Sequence, residues 1–406
     1  MKVRSFPGLT STALLLLTTT ALCAQQNTPT QPTPPPAPPL SQETVNQMIS
    51  KEKAMLHEWE LMETPDHPTT PPAHKSIKVE MNRQVIEKAT TQAESTFHQI
   101  LLDLTLRDAL RDVRQGLRAR LSTLKLDSPI PPALEIPPLA SGDDSKNPPP
   151  TWEANDVPLL RERLDRIQSC NDALQTEVNA LMSIESHLPP EITHDDISIL
   201  ARIPDPVRKE AKEAETLFQQ GHLNQAKDIF ATALKKFPTS LYLLSNLAVI
   251  HLTQGDIPQA EKLLRQCVAQ APFDAVSYSL LGITVFNAQK DDEALQILAR
   301  AVALDPDNPK TLNYLALVTS KKGWHSAAET QLRKAIEISP DYAEAHYNLA
   351  VLYALSARPA ISLAAQHYRR ARELGSQKNP ELETILKNAG IDTSTFKPQE
   401  KPSFTP

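Results

Sequence analysis

The chain has 406 residues, enough for two or three separately cored domains, but its 36 prolines against 9 glycines fall in blocks that interrupt long helical patterns. That arrangement disfavours one large globule and favours helical modules joined by stiff, proline-rich tethers. A net charge of -6, with 42 Lys and Arg spread among 48 Asp and Glu, offers no general basic field to nucleic acid.

The N-terminus carries Lys2 and Arg4, an apolar run through Leu14, Leu15, Leu16 and Leu17, and small residues ending in Ala21-Leu22-Cys23-Ala24. This is the order of a secretory leader over 1–24, too short and threonine-rich to span a bilayer, so an exported protein of the periplasm or extracellular space is expected. Leu22 ahead of Cys23 argues for ordinary cleavage over lipid attachment, and membrane association is expected only if the leader is retained or lipidated. Residues 25–40 are Gln, Thr and Pro with little to bury and read as a disordered linker.

Over 41–126 the pattern predicts N-terminal helices, a short one to Met62 and a long one from about Ser76. On the long one Leu106, Leu110, Val113, Leu117, Leu121 and Leu124 share a face that needs a partner. Arg107, Arg111, Arg114 and Arg118 form a cationic stripe beside it, read as a solvated flank pairing with Asp108 and Asp112, with an acidic or phosphate-bearing ligand as the sharper alternative. Residues 127–158, with Pro131-Pro132, Pro137-Pro138 and Pro148-Pro149-Pro150, read as a second linker.

From 159 to 188 the residues Leu160, Leu164, Ile167, Asn171, Leu174, Val178, Leu181, Glu185 and Leu188 alternate at spacings of three and four, a heptad seam with Asn171 at an a position. Two readings stay open. The seam either pairs two copies as a coiled-coil homodimer or packs within the chain against the long helix or the repeats. Cys170 and Cys267 sit far apart in helical patterns and, with Cys23, form no disulfide framework and no metal cluster, though one long-range bridge stays open.

After Pro204 a period of 34 residues sets in. Ala226, Ala260, Ala294 and Ala328 keep it, as do Ala233, Cys267, Ala301 and Ala335; Leu247, Leu281, Leu315 and Leu349; and Pro238, Pro272, Pro306 and Pro340. Small residues at Ala214, Ala248, Gly282, Ala316 and Ala350 let two antiparallel helices cross closely, and Phe230, Leu264, Leu298, Leu332 and Tyr368 fill the space between them. Spacing and residue types together resemble the tetratricopeptide repeat family. The resemblance implies an all-α, right-handed helix-turn-helix solenoid of five repeats over 207–375, preceded by long helices or a coiled coil and proline-rich linkers. A fifth repeat runs two residues late after Arg358-Pro359, a capping helix covers 379–390, and 391–406 reads as a disordered tail.

No H-E-x-x-H, G-x-S-x-G, Walker-type loop or G-x-G-x-x-G occurs, and His194, Asp195 and Asp196 read as helix-capping residues. No enzymatic activity, cofactor, metal or small-molecule substrate is expected. In resembling repeats the first helices line a concave groove, which places Phe218, Val249, Leu252, Ile283, Phe286, Leu317 and Val351 in it as an apolar strip for a protein partner. The layout is similar to that of envelope proteins in bacterial division. The expected role is therefore an envelope scaffold gripping a hydrophobic helix or extended segment, the alternative being a spacer whose own helix fills the groove.

Overall fold

The computed structural model describes residues 73–124, 130–140, 142–148, 152–153, 156–186, 205–356 and 359–396. The expected leader, the first linker, the helix ending at Met62, Leu188, the His194 cluster and residues 397–406 lie outside them. The described residues fall into two compact units, one of 95–148 with 163 onward, the other of 73–94 with 152–162. They contain thirteen helices and no strand. In the second unit the Glu153 amide donates to the Asp156 carboxylate at 2.7 Å, and Val157 and Leu160 are buried while Leu159 is exposed.

The long helix α1 runs Ala73–Ser122 and α2 runs Asp156–Ser186. Five helix pairs follow: α3 Asp205–Gln219 with α4 Leu223–Lys236, α5 Leu241–Thr253 with α6 Ile257–Gln270, α7 Ala275–Asn287 with α8 Asp291–Leu304, α9 Pro309–Lys321 with α10 His325–Ile338, and α11 Ala343–Leu355 with α12 Ile361–Glu373. A short α13, Pro380–Asn388, closes the series with the Asn379 side chain accepting from the Leu382 amide at 2.9 Å. Each second helix packs on its own first helix and on the next one, which is the expected all-α helix-turn-helix solenoid.

The repeat columns explain these helices. The alanines at 226, 260, 294 and 328 are wholly buried, and so are Ala233, Cys267, Ala301 and Ala335, because the pairs cross where side chains are smallest. Each of the first four second helices stops two residues before its proline, whose missing amide and ring clash bar continuation. After the first three of these stops the next first helix starts on a capping side chain, with Ser240, Asp274 and Asn308 accepting from Leu243, Ser277 and Thr311 amides. In the fifth pair the turn from Leu355 to Ile361 is two residues longer than its counterparts, as the late spacing requires. Residues 391–396 are not free tail: Phe396 is buried edge-on against Tyr368, since an aromatic end repeat exposes apolar area that the chain folds back to cover. The two described cysteines, Cys170 and Cys267, are free, and burial pushes the Cys267 thiol up to about 12.

Two positions carry visible strain or tightness. The turns at Gly221, Gly255 and Gly323 have positive φ, and their counterpart in the third pair is Gln289 at φ 62°. Replacing Gln289 by Gly is expected to raise stability by about 1 kcal/mol, seen as a higher urea midpoint with unchanged m-value. A Cβ on Gly282 would lie 2.6 Å from Leu298 Cγ, so Gly282→Ala is expected to lower the same midpoint by about 1 to 3 kcal/mol.

Candidate protein-interaction groove and the helices behind it

The first helices stand side by side, and polar and aromatic links join the first to the second, the third to the fourth and the fourth to the fifth. Tyr242 donates to Glu215 at 2.6 Å, Thr311 to Ser279 at 2.9 Å, Asn348 to Asn313 at 2.8 Å and Asn379 to Tyr347 at 2.6 Å, while Phe286 meets Tyr314 edge-on. This inner ladder fixes where each groove side chain stands.

The residues of the expected strip are uneven in exposure. Phe218, Val249 and Ile283 are buried, Ile283 to 0%, so they belong to the packing between helices rather than to open surface. Leu252, Phe286, Leu317 and Val351 are half-buried. Two exposed residues that the strip did not include extend it: Val276 at the start of α7 and Leu355 at the end of α11, the latter 62% exposed. The open apolar surface thus lies toward the later repeats. Behind it His346 and His367 meet through their Nδ1 atoms at 3.0 Å, and burial, reinforced by the neighbouring His346, lowers the pKa of His367 to about 4. Among the described residues no cluster of His, Cys, Asp and Glu has the form of a metal site.

The heptad seam is filled within the chain. Ile167, Leu174, Val178 and Leu181 are wholly buried, Leu164 and Asn171 half-buried. Leu174, Val178 and Leu181, with Cys170, share one core with Leu110, Val113, Leu117 and Leu121 of α1 and with Ala299, Ala303 and Leu304 of α8. The surface that a two-stranded coiled coil needs is already occupied, which corrects the dimer reading in favour of packing in cis. Nor does α2 fill the groove as the spacer reading required: it lies against the second helix of the third pair. Asn171 donates to the Asp103 backbone carbonyl at 2.9 Å instead of pairing with a second copy.

The arginine stripe pairs with Asp108 and other acidic neighbours as expected, but largely from buried and half-buried positions rather than as a solvated flank. Arg107 is buried and bonds Asp108 at 2.9 Å and also Asp144; Arg114 meets Glu177 at 2.9 Å, Arg118 bonds the same carboxylate, and only Arg111 of the four is exposed. Burial alone would raise the Glu177 pKa, but the two arginines and the Leu134 amide outweigh it and hold the carboxyl below its usual range. The described residues 130–140 and 142–148 of the expected second linker are correspondingly no tether. Ile130, Ile136 and Leu139 pack on the core of α1 and α2, Arg118 donates to the Pro131 carbonyl at 3.2 Å, and Arg166 clasps the buried Asp143 at 2.9 Å. At the centre of this interface Asp103, 5% exposed, accepts from Gln99 and Gln168, each at 3.0 Å, and burial pushes its pKa up to about 6.

Comparison with known proteins finds repeat profiles over part of the chain. A profile described as tetratricopeptide repeat matches residues 217–283, and one described as TPR repeat matches 321–356. A TPR repeat-containing protein of Pseudomonas aeruginosa is 30% identical over 131 residues, 32% of this chain and 22% of that protein. A human protein O-mannosyl-transferase is 24% identical over 39% of this chain and 18% of its own length. The chain therefore spans less than a quarter of either relative. Among solved structures, a TPR protein of Thermus thermophilus is 23% identical with a TM-score of 0.40, over 45% of this chain and 98% of that one.

Asp103 yields a signed pH dependence. Its folded pKa lies above the unfolded carboxylate value, so its contribution is most favourable below pH 4 and is lost as pH rises through 6. Relative to the parent, Asp103→Asn, which can also donate to the unpartnered Gln99 Oε1, is expected to gain up to about 3 kcal/mol between pH 4 and 7, read from urea titrations of both proteins.

Proposed function

We propose that this chain, a tetratricopeptide-repeat protein, is a non-enzymatic scaffold of the cell envelope that holds a hydrophobic helix or extended segment of another protein against its first helices. A solenoid of helix pairs offers a long surface with no enclosed catalytic cleft, which suits it to protein interaction. The observation that carries the finer reading is the apolar face of the later repeats, where Leu317 and Val351 are only half-buried and Leu355 is exposed. The leader pattern in residues 1–24 supports placing it beyond the inner membrane. The mannosyl-transferase is matched over too little of its length for its activity to be carried over.

Self-association through 159–188 is not part of this reading, because that helix spends its apolar face on α1 and α8. The partner instead contacts the first helices. Changing Leu317 and Leu355 to Asp together is expected to cost on the order of 100-fold in affinity for a protein captured by the parent from its native cells. Helix content by circular dichroism stays at the parent level. Equal capture by parent and variant would move the interaction away from this face.

A further inference from the structure

The third repeat breaks the pattern of its neighbours on the side facing away from the groove. Taking about 100° per residue, positions 299 and 303 point about 140° to 180° away from Ala294 and Ala301, which face the first helices. In α6 the corresponding outward residues are Arg265 and Ala269, and in α10 they are Arg333 and Glu337; all four are exposed. In α8 they are Ala299 and Ala303, both buried along with Leu304. Consequently α8 is buried on two faces, by the first helices and by the α1–α2 hairpin, whereas α6 buries only Ala260, Leu264 and Cys267.

The hairpin reaches past this repeat on both sides. Gly116 sits against Phe273 in the turn from the second repeat to the third, with a distance of 3.2 Å from an ideal Cβ to the ring, and Phe273, Ala275 and Tyr278 pack on the shared core. Gln175 donates to the Ala303 carbonyl at 3.0 Å. At the far side His98 stacks on Trp324, in the turn between the two helices of the fourth repeat, at a centroid distance of 6.3 Å. The helix stretches 95–122 and 163–186, strapped by 130–148 and its arginine bonds, thus touch the third repeat, the turn that leads into it from the second, and the turn inside the fourth.

We infer that the α1–α2 hairpin is a splint that docks on the outer face of α8 and fixes the angle between the second, third and fourth repeats. Inter-repeat angles are otherwise set by nearest-neighbour contacts alone, each a small interface. A brace across two junctions removes that freedom in the middle of the array and leaves the ends to their own contacts. The inference stands apart from the proposed partner, since its readout needs none.

The test uses the full chain with Cys23→Ser and nitroxide labels at Lys262→Cys and Thr330→Cys, the same exposed column in the second and fourth repeats; Cys170 and Cys267 are buried. In the parent, pulsed electron resonance is expected to give one narrow distance. Ala299→Arg with Ala303→Glu installs outward residues that α10 already carries at the same two positions. It is expected to release the hairpin, seen as at least ten-fold faster hydrogen exchange over 97–121, and to broaden the distance distribution. Gly116→Trp, made on the hairpin side, is expected to do the same and covers the case in which the double change unfolds α8. A released hairpin with an unchanged narrow distance would overturn the splint, as would unchanged exchange over 97–121 in both variants.

Discussion

Everything in the solenoid depends on how closely two helices can cross. At Gly282 the backbone of α7 comes so near Leu298 that even a methyl group has no room, and the alanines at the equivalent positions leave only slightly more. Close crossing lets the large residue at 230, 264, 298, 332 or 368 fill the pocket beside each small one, and this pairing recurs because the geometry recurs. Burial of that kind is local, so each helix pair is stabilised chiefly by itself and its two neighbours. The prolines and caps then only need to stop one helix and start the next.

A second principle governs residues 95–186. There the apolar faces of α1 and α2 are too long to be left open, and the chain covers them with each other, with a strap and with α8. Two of the carboxylates trapped by this closure each draw several donors. Asp143 is held by Arg166 and by the Ala140 amide, and Glu177 by two arginines and the Leu134 amide. Proline suits the strap because its side chain packs while its nitrogen asks for no partner, leaving carbonyls free for Arg118 and Arg114. A proline-rich stretch is a tether only when nothing apolar recurs in it. Here Ile130, Ile136 and Leu139 recur at multiples of three, the spacing that brings side chains back to one edge of an extended proline-type helix.

The repeats were legible because their signal is redundant: four columns at one period survive any single departure. The long helices were legible from their apolar spacing, to within three or four residues at each end. What covers an apolar stripe was not, since a heptad seam satisfies the same physics against a second copy or against its own chain. The signal that could have decided it lay in the repeats, at positions 299 and 303, where the third repeat is apolar and α10 is charged. The buried groove residues were missed for a related reason. Ile283 occupies a groove position by register, but helix-to-helix contacts such as Ser279 with Thr311 and Phe286 with Tyr314 draw the third and fourth first helices together around it. The capping column at 240, 274 and 308 was present in the sequence as Ser, Asp and Asn, and needed only to be aligned with the prolines two residues before it.

Inner and outer layers are mechanically coupled in such an array. Three of the four junctions between first helices carry short side-chain links, so their separations are held on one side, and the angle between repeats is then set by what the second helices do on the other. Over most of the array the outer side is charged and open to solvent, with ion pairs such as Lys290 to Glu261 and Lys321 to Asp291 linking successive turns; exposed pairs of this kind contribute little. Around α8 the outer side is instead an apolar core. The accessible leucines and valine of the later repeats therefore adjoin the stretch of solenoid whose curvature has the firmest backing, and an extended partner laid along them meets a surface already shaped, with less ordering left to be done on binding.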